Sequence, residues 1–341
     1  MRESFWRAAL PIALVALLPR AAAAQMESPS QPAAGACTIV GPLLGPSDFG
    51  VPAGQPVADA TAAALPDGRV RLYMFAQGKG IVSAVSVTAQ GASFVPEPGT
   101  RLPDGSGMPR VVANPAGGWR LYFISGGGIR SAVSTDGVTF TVESGFRITR
   151  EAAGFTGTTV SDTSGATVIR RADGRYRMYF SDLPRPGDPP GGHRIKSAVS
   201  TDQLTWTVEP GIRIGPGAPV LTESAEHPFA LANANGSVTL YYGRFTGPGS
   251  ASPEGLYEST SIDGLTFDRE TYDLFFGNDP DVLRLADGTL AVYYGLFSPG
   301  VGGTINLARC PDPGAATAPS PAPTPEPQPE PEPYAAPRGR R

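Results

Sequence analysis

The sequence predicts an all-β fold, a five-bladed β-propeller closed by its N- and C-terminal strands. Two repeated phrases and one pair of cysteines carry that prediction. In the first phrase a Gly stands five residues before a Tyr: Gly68/Tyr73, Gly117/Tyr122, Gly174/Tyr179, Gly236/Tyr241 and Gly288/Tyr293. Asp67, Asp173, Asn235 and Asp287 precede four of these glycines, and each Tyr lies in an alternating run such as Val70-Arg71-Leu72-Tyr73-Met74-Phe75. Asp-Gly followed by alternation is a tight-hairpin signal. Five copies of one hairpin imply a repeat architecture. In the second phrase, Ser134-Thr135-Asp136-Gly137-Val138-Thr139-Phe140 recurs at Ser200 to Trp206 and at Ser261 to Phe267. Its Asp can accept from the amides of its own turn while Gly takes the left-handed position, and the closing aromatic is expected to pack under the next blade.

The elements follow in order. Residues 1–24 read as a signal peptide: Arg2 and Arg7 give a basic start, Ala8 to Leu18 is apolar, and Ala22-Ala23-Ala24 offers a cleavage site. The apolar run is shorter than the ~18 residues a membrane span needs, which argues against an uncleaved anchor. Residues 25–36 are a linker, and 37–313 are the propeller. The stretch from Cys37 to Cys310 divides into five units of about 55 residues, enough for four strands each. In the first unit these are Asp59 to Leu65, Val70 to Phe75, Ile81 to Ser86, and Phe94 onward. The third strand repeats as Ser83-Ala84-Val85-Ser86, Ser131-Ala132-Val133-Ser134 and Ser197-Ala198-Val199-Ser200.

The fifth unit lacks a clear fourth strand. Cys37-Thr38-Ile39-Val40 is expected to supply it, with a Cys37–Cys310 disulfide locking the seam in an exported chain. Two buried free thiols are the alternative. Glu-x-Gly-x-Arg-apolar recurs at Glu97 to Leu102, Glu143 to Ile148 and Glu209 to Ile214, equivalent positions that read as scaffold. Residues 314–341 are a Pro-rich tail that cannot bury a core.

The chain has 43 Gly, 37 Pro, 17% charged residues and a net charge of −4, which suits many short strands and argues against a nucleic-acid partner. It contains no phosphate-cradling Gly loop before a helix, no Cys/His metal cluster and no nucleophile elbow. We therefore expect no cofactor, no metal, no transmembrane segment after signal cleavage, and a monomer, secreted or periplasmic.

The Ser-x-Asp-Gly-x-x-aromatic turns, with Asp-Gly hairpins before Tyr-rich second strands, resemble the five-bladed propeller glycoside hydrolases: arabinanases, β-xylosidases and, more distantly, fructosidases. The resemblance spans about residues 37 to 313. The turn is also similar to a shortened sialidase Asp-box. Sialidases, however, place one more residue between Asp and Gly, normally have six blades, and bind the substrate carboxylate with an Arg triad. No sialidase-type Arg-Ile-Pro stands near the start of this chain.

Fourteen residues before each repeat Tyr is the residue entering the innermost strand. That column reads Asp59, Met108, Gly165, His227, Asp279, followed by Ala60, Pro109, Ala166, Pro228 and Pro280. The resemblance implies an Asp base entering the first blade, often as Asp-Pro. Asp59 keeps the acid and Asp279-Pro280 the dipeptide. By position, Asp59 would be the base, Asp162 a modulator of the acid, and Glu226 the acid. His227 and Asp279 would bind substrate, His227 through sugar hydroxyls or a metal-bound water.

Hydrolysing a glycosidic bond needs one carboxylic acid and one carboxylate facing each other across roughly 5–9.5 Å. The alternative roles are backbone caps for the acids and a core position for His227. The long loops, Thr149 to Ser164, Ser181 to His193 and Arg244 to Gly255, suggest a cleft over blades three to five. Tyr179, Tyr241, Tyr242 and Tyr294 would lie beneath it, and their strand periodicity reads as core packing. Two functions follow: a secreted glycoside hydrolase acting on a glycan or oligosaccharide, or a non-catalytic carbohydrate- or protein-binding propeller.

Overall fold

The computed structural model describes residues 37–154, 162–183, 193–215, 224–244, 254–267, 270–271 and 276–312, with the backbone alone at 162, 182 and 183. The expected signal peptide and linker, and the Pro-rich tail, lie outside the described residues, as do most of the three long loops.

Five antiparallel sheets form the propeller. Blade one comprises Val57–Ala64, Val70–Ala76, Gly80–Ser86 and Phe94–Pro96. Blade two comprises Gly107–Ala113, Trp119–Ser125, Gly128–Ser134 and Thr141–Val142. Blade three comprises Asp162–Arg170, Tyr176–Leu183, Ile195–Ser200 and Thr207–Val208. In blade four the described strands are Glu226–Ala232, Val238–Arg244 and Gly255–Ser261. Blade five orders Asn278–Arg284, Thr289–Ser298 and Gly302–Pro311, with Thr38–Leu44 from the N-terminus as its outermost strand. The first strand of each blade touches the first strand of the next, and that of blade five returns to blade one, closing the ring.

The expected clasp is present. Thr38–Leu44 pairs antiparallel with Gly302–Pro311, Thr38 opposite Arg309, and Cys37 is disulfide-bonded to Cys310. The clasp ties the two ends of the described propeller together within blade five, so that blade is built from both termini of the ring.

The repeated phrases prove to be one interlocking device. The repeat Tyr of a blade is buried and donates its hydroxyl to a turn carbonyl of the following blade: Tyr73 to Gly137 (2.8 Å), Tyr122 to Gln203 (2.9 Å), Tyr179 to Gly264 (2.8 Å), and Tyr293 to Gly91 (3.0 Å). The turn aromatic therefore packs on the preceding blade, not the next as the sequence reading had it. Phe140 meets Tyr73 edge-on at 5.6 Å, Trp206 meets Tyr122 at 6.1 Å, and Phe267 meets Tyr179 at 6.1 Å. Each such pair contributes about 0.5–1.5 kcal/mol beyond its buried area.

The Glu-x-Gly-x-Arg phrase supplies the second half of the lock. Glu97, Glu143 and Glu209 pair with the buried Arg71, Arg120 and Arg177 of their own blades and accept from Ser83, Ser131 and Ser197. Arg101, Arg147 and Arg213 then donate to turn carbonyls of the following blade at Val138, Leu204 and Leu265. In the third blade's turn Gln203 replaces Gly. It adopts φ +64°, and its side chain rewards the substitution by accepting from Arg120 at 2.8 Å.

Candidate functional site

The innermost strands do not begin as regular strands. Each carries a bulge at the same place, with register shifts at Ala58/Thr61, Gly107/Arg110, Ser164/Thr167, Glu226/Phe229 and Asn278/Asp281. The residue at the bulge is the column read from the sequence. All five take left-handed backbone: Asp59 φ +57°, Met108 φ +48°, Gly165 φ +40°, His227 φ +49° and Asp279 φ +53°. Four are not glycine, each at a cost of roughly 1–2 kcal/mol. Strain of this kind persists where surrounding structure enforces it, and a bulge re-aims a side chain.

Gly165 shows what the five positions share. A Cβ built there would lie 3.0 Å from His227 Cα and 3.5 Å from Cδ2 of its ring. The missing side chain of blade three is the space His227 occupies. Met108 fills its own share, its Sδ 3.0 Å from the Ser164 hydroxyl.

Three column residues meet. His227 Nδ1 is hydrogen-bonded to Asp279 Oδ1 and lies 4.0 Å from Asp59 Oδ1, with side chains 11–13% exposed. The two histidines of the chain, His193 and His227, both serve this mouth: His193 Nδ1 is 3.1 Å from Glu226 Oε2. His227 Nε2 is buried and has no partner among the described residues.

Charge orders the cluster. Burial pushes the Asp59 carboxyl up to about 7, with the like charges of Asp279 and Glu226 adding to it against His227 and Arg110. Burial also raises Glu226, against the two histidines. For Asp279 burial acts upward too, but the imidazole of His227 and then Arg110 outweigh it and hold the carboxylate below its usual value. Burial would depress His227; Asp279 reverses this and lifts it to about 10. Near neutral pH the cluster thus holds an ion pair, His227–Asp279, beside the Asp59 carboxyl near its midpoint and a Glu226 carboxyl that burial raises. Donor atoms of Asp59, His227 and Asp279 lie within 4.8 Å of one another, a spacing that suits a cation. Here Nδ1 already serves Asp279 and the cationic Arg110 lies beneath, so we read the trio as a charge cluster.

Of the site residues expected from sequence, Asp59, Glu226, His227 and Asp279 come together. Asp162 begins the first strand of blade three opposite Leu183, and its side chain lies outside the described residues. The cleft expected over blades three to five falls on loops that lie largely outside them. Tyr179, Tyr241, Tyr242 and Tyr294 are core residues. Sequence reasoning missed His193, which histidine scarcity could have flagged, and Arg110, the departure from Thr61 and Thr167 in the equivalent positions of other blades.

No protein-family model matches the chain, and no curated protein matches it. Solved structures do. A thermostable family-43 glycoside hydrolase aligns with TM-score 0.58 and 16% identity, over 82% of this chain and 98% of its own. An endo-arabinase from Bacteroides thetaiotaomicron aligns with TM-score 0.55 and 14% identity, over 75% and 96%. A member of the GH130 family of mannoside phosphorylases and hydrolases gives 0.55 and 15%, over 83% and 97%. At such identities the likeness is one of fold: this chain has the five-bladed β-propeller seen in glycoside hydrolases.

Proposed function

We propose that the chain is an exported glycoside hydrolase whose active site is the mouth formed by Asp59, Glu226, His227 and Asp279. The observation that carries the reading is the meeting of Asp59, His227 and Asp279 on strained bulges, with Glu226, held by His193, close enough for its charge to act on Asp59 and His227. Glu226, raised by burial, protonates the leaving glycosidic oxygen. Asp59 acts as the base or nucleophile at the anomeric carbon; a carboxyl near 7 is ionised in part at neutral pH, close to the optimum for proton transfer. The His227–Asp279 pair fixes the ring that faces Asp59 and presents hydrogen bonds to sugar hydroxyls. Asp162 is assigned, by resemblance alone, to orient Glu226.

Export is supported by the Cys37–Cys310 disulfide and by the signal-like residues 1–24. Among the described residues no helix is long and apolar enough to cross a membrane.

The test is a screen of purified protein against plant and microbial oligosaccharides beside an Asp59→Asn/Glu226→Gln double variant. Hydrolysis that disappears in the double variant is expected. Hydrolysis unaffected by it removes the site assignment, and binding without turnover in the parent protein supports a carbohydrate-binding propeller instead.

A further inference from the structure

Beneath the mouth, two residues after each bulge, stand Thr61, Arg110, Thr167, Phe229 and Asp281. In three blades this position stitches one blade to the next in the same way. Thr61 Oγ1 accepts from Val111 N at 3.2 Å, Thr167 Oγ1 from Ala230 N at 3.2 Å, and Asp281 Oδ1 from Ala62 N at 3.2 Å. Blade two breaks the pattern. Its guanidinium, 3% exposed, turns back across the ring. Arg110 Nη1 donates to Ala60 O at 3.1 Å in blade one, and Nη2 to Pro280 O at 3.3 Å in blade five. Ala60 follows Asp59 and Pro280 follows Asp279, so one planar fork holds the peptide groups directly after two mouth carboxylates.

We propose that Arg110 is a positioning residue: its guanidinium fixes the separation of Asp59 and Asp279 by bridging the carbonyls of Ala60 and Pro280 beneath them. Asp281, 2% exposed and bound to Thr61 Oγ1 at 2.8 Å, supplies buried counter-charge and packs the same two blades together. A Lys head is a single nitrogen on a flexible stem, whereas the guanidinium is a rigid fork. Charge alone therefore does not reproduce the bridge. The inference extends the reading of the mouth but does not depend on turnover.

The experiment compares the full chain with Arg110→Lys, Arg110→Met and, as control, Arg120→Met, which removes a buried arginine from the scaffold lock. Nitrogen-15 spectra of the His227 ring and the pH midpoint of Asp59 are recorded, with thermal unfolding alongside. In Arg110→Met the His227 signals move and the Asp59 midpoint rises by about one pH unit. In Arg110→Lys the His227 signals move as well. Arg120→Met loses stability without moving either. Where the protein is active, both Arg110 variants lower kcat by ~10-fold or more with little change in KM.

A folded Arg110→Met with unchanged His227 and Asp59 signals overturns the proposal, as does Arg110→Lys that restores the parent spectra in full. Should neither variant fold, the unmodified chain decides. Separate, slowly exchanging Nη protons on Arg110 are expected from a fork bound at both nitrogens, and one averaged signal refutes it. Loss of activity assignments in the oligosaccharide screen would leave these spectroscopic outcomes standing.

Discussion

Replacing Gly165 by Ala tests whether the mouth is built by subtraction. Two costs act at once. At φ +40° an L side chain is strained by roughly 1–2 kcal/mol. The new methyl would also sit 3.0 Å from His227 Cα, a backbone atom that cannot swing aside as a side-chain tip can. Overpacking of that kind adds about 1–3 kcal/mol. Gly174 is the internal control: its φ is +84° and nothing lies within 4 Å of a Cβ built there, so Gly174→Ala bears the conformational cost alone.

Thermal unfolding by calorimetry separates the two. With ~2–4 °C lost per kcal/mol in a domain approaching this size, Gly174→Ala should lower Tm by about 2–8 °C, and Gly165→Ala by roughly twice as much. Only Gly165→Ala should shift the His227 ring resonances, because its methyl displaces the strand entry that carries the imidazole against Asp279. Equal losses in the two variants, or an unmoved His227 signal, would refute the claim that the third blade yields its column position to the histidine.

Four further outcomes follow from the same geometry. Cys310→Ser should lower stability by about 3–5 kcal/mol, since the bridge closes almost the whole ring; a Tm equal to that of the parent under oxidising conditions would contradict the clasp. Asp59 has a folded-state carboxyl raised from 3.8 to about 7, so the unfolded chain releases that proton first and stability falls as pH climbs through that window. Asp59→Asn removes the loss and should raise Tm at pH 8 while giving no gain at pH 3.5, read by calorimetry at both values. His227, raised from 6.5 to about 10, contributes stability that is complete below pH 6.5 and lost as pH rises through 10; in Asp279→Asn its ring should titrate far lower, followed by proton NMR. Glu143→Gln strips the counter-charge from a buried Arg120 and should cost about 3–5 kcal/mol in chemical denaturation, leaving oligosaccharide turnover unchanged.

Much of the fold was legible because each blade repeats its own instructions. Asp67-Gly68 and its four counterparts mark the inner hairpins, and the spacing from each Tyr back to the strand entry fixed a column whose members share one backbone conformation. The seam was legible from what the fifth unit lacks. The direction in which Phe140 and Trp206 lean was not, because a repeat shows that neighbouring blades interlock without showing which receives the ring. The site was legible in part for a related reason. Asp59, Glu226, His227 and Asp279 lie at or beside one repeat register, so aligning the units brings them together. His193 reaches Glu226 from outside that register. Arg110 lies within it, yet its fork turns across the ring toward blades one and five, a path set by three-dimensional closure and not by sequence spacing.

The most direct measurement pairs calorimetric binding with turnover for Glu226→Gln on whichever oligosaccharide the parent protein cleaves. The amide keeps the shape of the side chain and removes its transferable proton, so affinity should match the parent while turnover falls by ~10²–10⁴-fold. Turnover equal to that of the parent would show that the bond is broken elsewhere, or by other groups, and the mouth of the ring would lose its assigned role.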